Sequence, residues 1–156
     1  MEKEMKQGNY KKFSLMLGIS FCIMYAVMFF NVDKPDHIFL SATRLYMTLL
    51  MVTPMALLML LLMRKMYPNN KTNTIIVLSS VIVFVVSLTF LRTQAFVGDQ
   101  QFMKAMIPHH SSAILTSKNA DFKDPEVKEL SLKIIKSQEE EIALMKSILK
   151  RMDNED

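Results

Sequence analysis

Three uncharged apolar runs, each long enough to cross a bilayer, decide most of what this chain can fold into. They are Phe13–Phe30, Leu45–Met63 and Thr74–Leu91, of 18, 19 and 18 residues. At 1.5 Å per helical residue, 18 residues reach about 27 Å, close to the hydrocarbon thickness of a membrane. Soluble domains scatter apolar residues periodically, whereas here they concentrate before about residue 92. The expected membrane domain is therefore 1–92, with spans at about 13–30, 45–63 and 74–91. A second domain, 93–156, lies beyond it.

Charge divides the same way. Residues 1–91 carry nine of the 19 Lys/Arg and four of the 15 Asp/Glu, and from Arg92 onward there are ten basic and eleven acidic residues. The net charge of +4 belongs to the membrane half, and no basic patch points to nucleic acid. The single cysteine, Cys22, lies in the first run, which excludes a disulfide framework and a cysteine-based zinc site within one chain. A basic start (Lys3, Lys6, Lys11, Lys12) precedes that run, but no small-residue cleavage pattern follows it, so it reads as a retained anchor.

Basic residues flank the runs unevenly. Four lysines precede the first, and Arg64, Lys65 and Lys71 lie between the second and third; Lys34 and Arg44, between the first and second, are offset by Asp33 and Asp36. The positive-inside rule puts the N-terminus in the cytoplasm and the C-terminal domain in the periplasm or outside the cell. Tyr46 and Tyr67 suit membrane interfaces. Pro54 is expected to kink the second span, with the Thr53 hydroxyl recovering part of the lost bonding. His37, between the first two spans, reads as a solvated loop residue.

After Arg92 the pattern predicts two helices. Gly98-Asp99 supplies a break and an N-cap for a helix over 100–119, and Asp121-Phe122-Lys123 forms the turn. Asp124-Pro125-Glu126 then starts a helix reaching about Met152. Val127, Leu130, Ile134, Ile142, Met145, Leu149 and Met152 form its expected apolar stripe, interrupted by Gln138. Glu139 and Glu140 read as a solvated face, and Asp153–Asp156 as a frayed tail. A two-helix hairpin cannot enclose a core alone, so a homo-oligomer completing a four-helix bundle is expected.

Met103, Met106 and His110 fall at i, i+3 and i+7, on one helical face, with Pro108 inside the turn. Two thioethers and an imidazole suit Cu(I) or Ag(I) rather than Mg²⁺ or Ca²⁺. Gln138, Glu141 and Met145 repeat that spacing on the second helix. The alternative is that these methionines only pack a core. Met106-Ile107-Pro108-His109-His110, followed by Ala113-Ile114, a Pro-Glu-Val turn and Gln138-x-x-Glu141-Ile142-x-x-Met145, resembles the ferritin-like family called domain of unknown function 305. The resemblance covers roughly Gly98 to Met152, and together with the preceding spans it looks like a membrane-bound subgroup.

That resemblance implies an all-α, ferritin-like helical hairpin linked to copper binding and tolerance. It implies Met103, Met106, His109, His110 and Met145 as metal positions, with Gln138 or Glu141 orienting an imidazole. Copper as Cu(I) is the implied metal, with copper-handling proteins as partners and no organic cofactor. Many members have methionine where this chain has Ser112 or Thr116, so its thioether count is lower. Paired Glu-x-x-His motifs, a His-Glu-x-x-His motif and a phosphate-binding glycine loop are all missing, so no enzyme is expected.

Met47, Met51, Met55, Met59 and Met63 recur every four residues in the second span. Each step drifts about 40° on a helix of 3.6 residues per turn, and the row winds through about 160°. It reads either as a thioether row passing a soft ion, making the chain a transporter subunit, or as lipid-compatible filler.

Overall fold

A computed structural model describes residues 2–155. Among these there are helices and turns and no strands: α1 Glu2–Val27, α2 Ala42–Leu62, α3 Asn70–Thr93, α4 Asp99–Asn119 and α5 Pro125–Glu155. Short 3-10 turns occupy Pro35–His37 and Arg64–Met66. Parts of α1 to α3, namely Asn9–Val27, Ala42–Leu62 and Asn70–Thr93, are long and apolar enough to cross a membrane. The first ends three residues before the apolar run does, because Phe29 is buried outside the helix and Phe30 is exposed in a turn.

The chain forms two compact units. One is Met1–Val27 with Arg44–Phe96, and the other is Met28–Thr43 with Val97–Asp156. The segment joining α1 to α2 thus belongs with the C-terminal hairpin, a grouping that a division at residue 92 does not anticipate.

In the first unit Phe13, Ala56, Met59, Leu60 and Tyr67 form the core, with Tyr10, Leu17, Met55 and Ile76 against it. Tyr67 is buried in this core: Tyr10 and Phe13 each lie 5.4 Å from its ring centroid. Tyr46 is also buried; its hydroxyl donates to the Ala95 carbonyl at 2.8 Å. Helix α2 runs unbroken through Pro54. The Thr53 hydroxyl donates to Leu49 O at 3.0 Å, whereas the carbonyl freed by the missing proline N–H is that of Leu50. The hydroxyl therefore does not replace the lost bond.

In the second unit α4 and α5 pack around Met103, Ile107, Ile114, Ile142, Met145 and Leu149. The local signals act as their chemistry requires. Asp124 Oδ1 accepts from the N–H groups of Glu126 and Val127 at 2.8 and 3.1 Å, ahead of Pro125 at the first helical position. Gly98 is the N-cap of α4 and offers no side chain, so Asp99 acts from the first turn as a charge at the helix's positive end. Pro108 is fully buried and α4 continues through it.

The inward row of α5 differs from the expected stripe. Val127 and Leu130 are exposed, while Ser131, Ile142, Met145 and Leu149 are buried and Ile135 packs on the core. With Gln138, half-buried, these residues step by four and three, the coiled-coil seam spacing. The row begins on a serine and includes a glutamine, so apolarity alone misplaces its first half by one residue. The last residues are also helical rather than frayed: α5 reaches Glu155, whose carboxylate lies 3.6 Å from Arg151. Asp156 lies outside the described residues.

Candidate metal centre

On α4 the inward row reads Met103, Ile107, His110, Ile114, again in steps of four, three and four. His110 therefore occupies a seam position between two fully buried isoleucines. Met103 and Met145 are buried in the shared core, and Met106 packs against it. The hairpin core thus takes in Met103 and Met145 with Met106 against it, and His110 lies on the same inward row of α4.

His110 is half-buried, and its Nδ1 is buried with no hydrogen-bond partner. Glu141 Oε2 stands 3.3 Å from that nitrogen, off the ring's hydrogen-bonding direction. The other oxygen of Glu141, Oε1, accepts from the Ser137 hydroxyl at 2.8 Å, which steadies the carboxylate. Burial holds the His110 imidazole below its ordinary pKa; Glu141 pulls the other way, and His109 adds to the depression. A neutral ring with an unsatisfied nitrogen is a ready ligand or a ring awaiting orientation. Thioethers and a neutral imidazole are donor types that suit a soft cation.

Two expected positions stand apart. His109 is exposed, its ring centroid 6.1 Å from that of His110, and it points away from the core that holds the thioethers. Gln138 lies on the α5 seam, half-buried. Among the described residues no group of three His, Cys, Asp or Glu side chains gathers as a metal cluster.

The α2 methionines do not form a continuous internal row within the chain. Met47, Met51 and Met63 are exposed, Met55 is half-buried and Met59 is buried. A four-residue repeat on a 3.6-residue helix rotates out of any one face, and here it crosses the buried side only near Met59.

Sequence reasoning missed the polar junction on the other side of α4. His37 is buried, not solvated, and its Nδ1 lies 2.8 Å from Ser111 Oγ. The same hydroxyl oxygen accepts from Asp33 N–H at 2.7 Å. Asn31 Nδ2 donates to Ser112 Oγ at 2.8 Å, and Ala42 N–H donates to Gln101 Oε1 at 3.0 Å. Lys118 pairs with Asp33 at 3.0 Å and Lys146 with Asp36 at 2.6 Å. Phe39 adds an apolar contact to the hairpin core. Ser111, one residue after His110, thus ties the Met28–Thr43 segment to the helix that carries the donors. The bonded residues lie 74 or more positions apart, except the Ala42–Gln101 pair at 59, so no local motif could have signalled them.

Comparison with known proteins adds two findings. Residues 88–156 match the family described as a domain of unknown function (DUF305). Over 145 residues the chain is 39% identical to the uncharacterized protein L153 of Acanthamoeba polyphaga mimivirus, covering 90% of this chain and 93% of that protein. No solved structure matches the chain.

Proposed function

The chain belongs to the DUF305 family, and on that premise we propose that it is a membrane-anchored protein that captures Cu(I) or Ag(I) outside the cytoplasm. Helices α1 to α3 act as the anchor, with the N-terminus cytoplasmic and the hairpin on the far side. The observation that carries this reading is the convergence of Met103, Met106 and Met145 on one core beside His110, whose Nδ1 is buried without a hydrogen bond. Thioethers and a neutral imidazole hold a soft monovalent cation without needing deprotonation, and they withstand an oxidising compartment better than thiols. Glu141 Oε2, 3.3 Å from Nδ1, is placed to accept from that nitrogen once the ring turns toward it, which would leave Nε2 for the metal. His109, exposed, serves as an entry ligand that a copper-handling partner protein can reach. A second copy of the hairpin completes a four-helix bundle around the site.

The test is titration of the full chain, in detergent and under reducing conditions, with Cu(I) and Ag(I). The full chain is needed because Met28–Thr43 is part of the hairpin unit. Met103→Leu with Met106→Leu removes two donors while conserving volume, and affinity is expected to fall at least about tenfold; unchanged affinity refutes the assignment.

A second reading is favoured by the burial of Met103 and Met145 among Ile107, Ile114 and Ile142. There the hairpin is a protein-interaction module and its methionines are packing. It predicts no specific metal uptake, with His110→Ala acting on association or stability.

A further inference from the structure

The first unit contains a cavity of about 730 Å³ between α2 and α3, at the end where the Met63–Asn69 loop joins them. Its composition changes along its length. Leu57, Leu61, Val77 and Leu78 line its apolar part, the last three exposed along the helices, and Arg64 and Asn73 stand toward the loop end. Arg64 lies two residues beyond the end of α2 and Leu57 about a turn and a half inside it, so the lining passes from cationic and amide-bearing to hydrocarbon over roughly 10 Å.

The polar end is built. Asn73 Nδ2 donates to the Tyr67 carbonyl at 2.7 Å, and the Tyr10 hydroxyl donates to Asn73 Oδ1 at 2.8 Å. Asn69 N–H donates to the same Tyr10 hydroxyl at 3.1 Å, and Asn9 Nδ2 donates to Met66 O at 3.1 Å. The Arg64 guanidinium makes no hydrogen bond or ion pair among the described residues. No Asp or Glu occurs between Asp36 and Asp99, and Lys65 and Lys71 extend the positive charge of the loop. An apolar trough ending on a guanidinium that has no carboxylate partner among the described residues is complementary to an amphiphile with an anionic head.

We propose that this cavity is a binding site for one anionic phospholipid. Its phosphate lies on Arg64, steadied by the Asn73 amide, and one acyl chain lies between the leucines of α2 and the Val77–Leu78 face of α3. The proposal rests on reading α1 to α3 as membrane spans and is independent of the metal.

The experiment is native mass spectrometry of the full chain released from detergent micelles containing equal amounts of phosphatidylglycerol and phosphatidylcholine. The wild type is expected to retain phosphatidylglycerol about fivefold over phosphatidylcholine, the effect of one basic residue at an anionic lipid surface. Arg64→Gln should abolish that preference at unchanged helical content. Leu78→Trp, which fills the trough, should lower retention of both lipids. Lys65→Gln, outside the cavity, should leave the preference intact. Equal retention by the wild type overturns the site. So does an equal loss from Lys65→Gln, which would assign the effect to diffuse surface charge, or a lipid-free dimer, which would put a second copy in the trough. A chain that stays soluble without detergent would refute the membrane reading itself, before any lipid is compared.

Discussion

Methionine occurs in both units of this protein, and its surroundings differ between them. In the hairpin, Met103 and Met145 come from separate helices and are buried in one core, with Met106 and His110 beside them. In the other unit, four methionines of α2 and Met63 just beyond it recur at regular spacing, and of these only Met59 is buried. A regular repeat on one helix looks more like a pathway in a sequence, yet it is the irregular set that converges. Spacing places residues on a face; a site needs a second element to bring donors toward them.

The sharpest way to break this contrast is to remove packing rather than donors. Ile114 is fully buried in the hairpin core, and Ile114→Ala is expected to cost about 2–5 kcal/mol of stability. Leu61, exposed on α2, should tolerate Ala within about 0.5 kcal/mol. Thermal melts of the full chain in detergent, followed by circular dichroism, give both numbers. Equal losses would mean that the hairpin core is no more cohesive than the surface of α2.

Next comes the polar junction. Ser111→Ala leaves the Asp33 N–H and the His37 ring without their shared partner, inside a buried site. The expected cost is about 1–3 kcal/mol, the penalty for an unsatisfied buried group. Protection of residues 28–43 from hydrogen exchange should fall with it. If protection is unchanged, Lys118–Asp33, Lys146–Asp36 and Phe39 hold the segment without the hydroxyl.

These two sites also show how far the sequence could be read. Both ends of α4 and the start of α5 were legible within a residue or so, because caps, a first-turn proline and acidic residues act locally: Asp124 and Pro125 do in space what they do in sequence. The end of α5 was not, lying at Glu155, three residues past Met152. The α5 seam was legible only where its residues are apolar, from Ile142 onward; upstream it runs through Ser131 and Gln138, which a hydropathy pattern reads as the outside. The shared face of Met103, Met106 and His110 could be read from spacing, but not the exposure of His109. His37 and Ser111 were invisible, because a hydrogen bond across 74 residues leaves no periodic trace.

The metal titration is the third measurement. Met103→Leu with Met106→Leu should weaken Ag(I) at least about tenfold, roughly 1.4 kcal/mol, with little effect on folding. Burial depresses the pKa values of both His37 and His110, which gives a fourth. The unfolded imidazoles take up protons below about pH 6.5, before the folded ones do, so stability should fall as pH drops from 7 toward the folded values and then level off. His37→Gln should flatten part of that slope. A melting temperature that rises on acidification would contradict the sign.

The smallest expected effect falls on the α2 row. Met51, Met55 and Met59 replaced together by leucine keep shape and apolarity and change only the donor atoms. The exposed positions should register almost nothing, and Met59, packed near Ala56 and Tyr67, should cost less than about 1.5 kcal/mol. Ag(I) affinity should be unchanged, since most of this row is exposed rather than gathered in a core. Oligomers are the one arrangement that could alter this, by setting the exposed Met47, Met51 and Met63 of several copies around a common axis. Flux of Ag(I) through proteoliposomes, compared between wild type and triple variant, decides it: equal flux leaves the row as apolar filler, while a clear loss would make α2 a second soft-metal region, assembled between chains rather than within one.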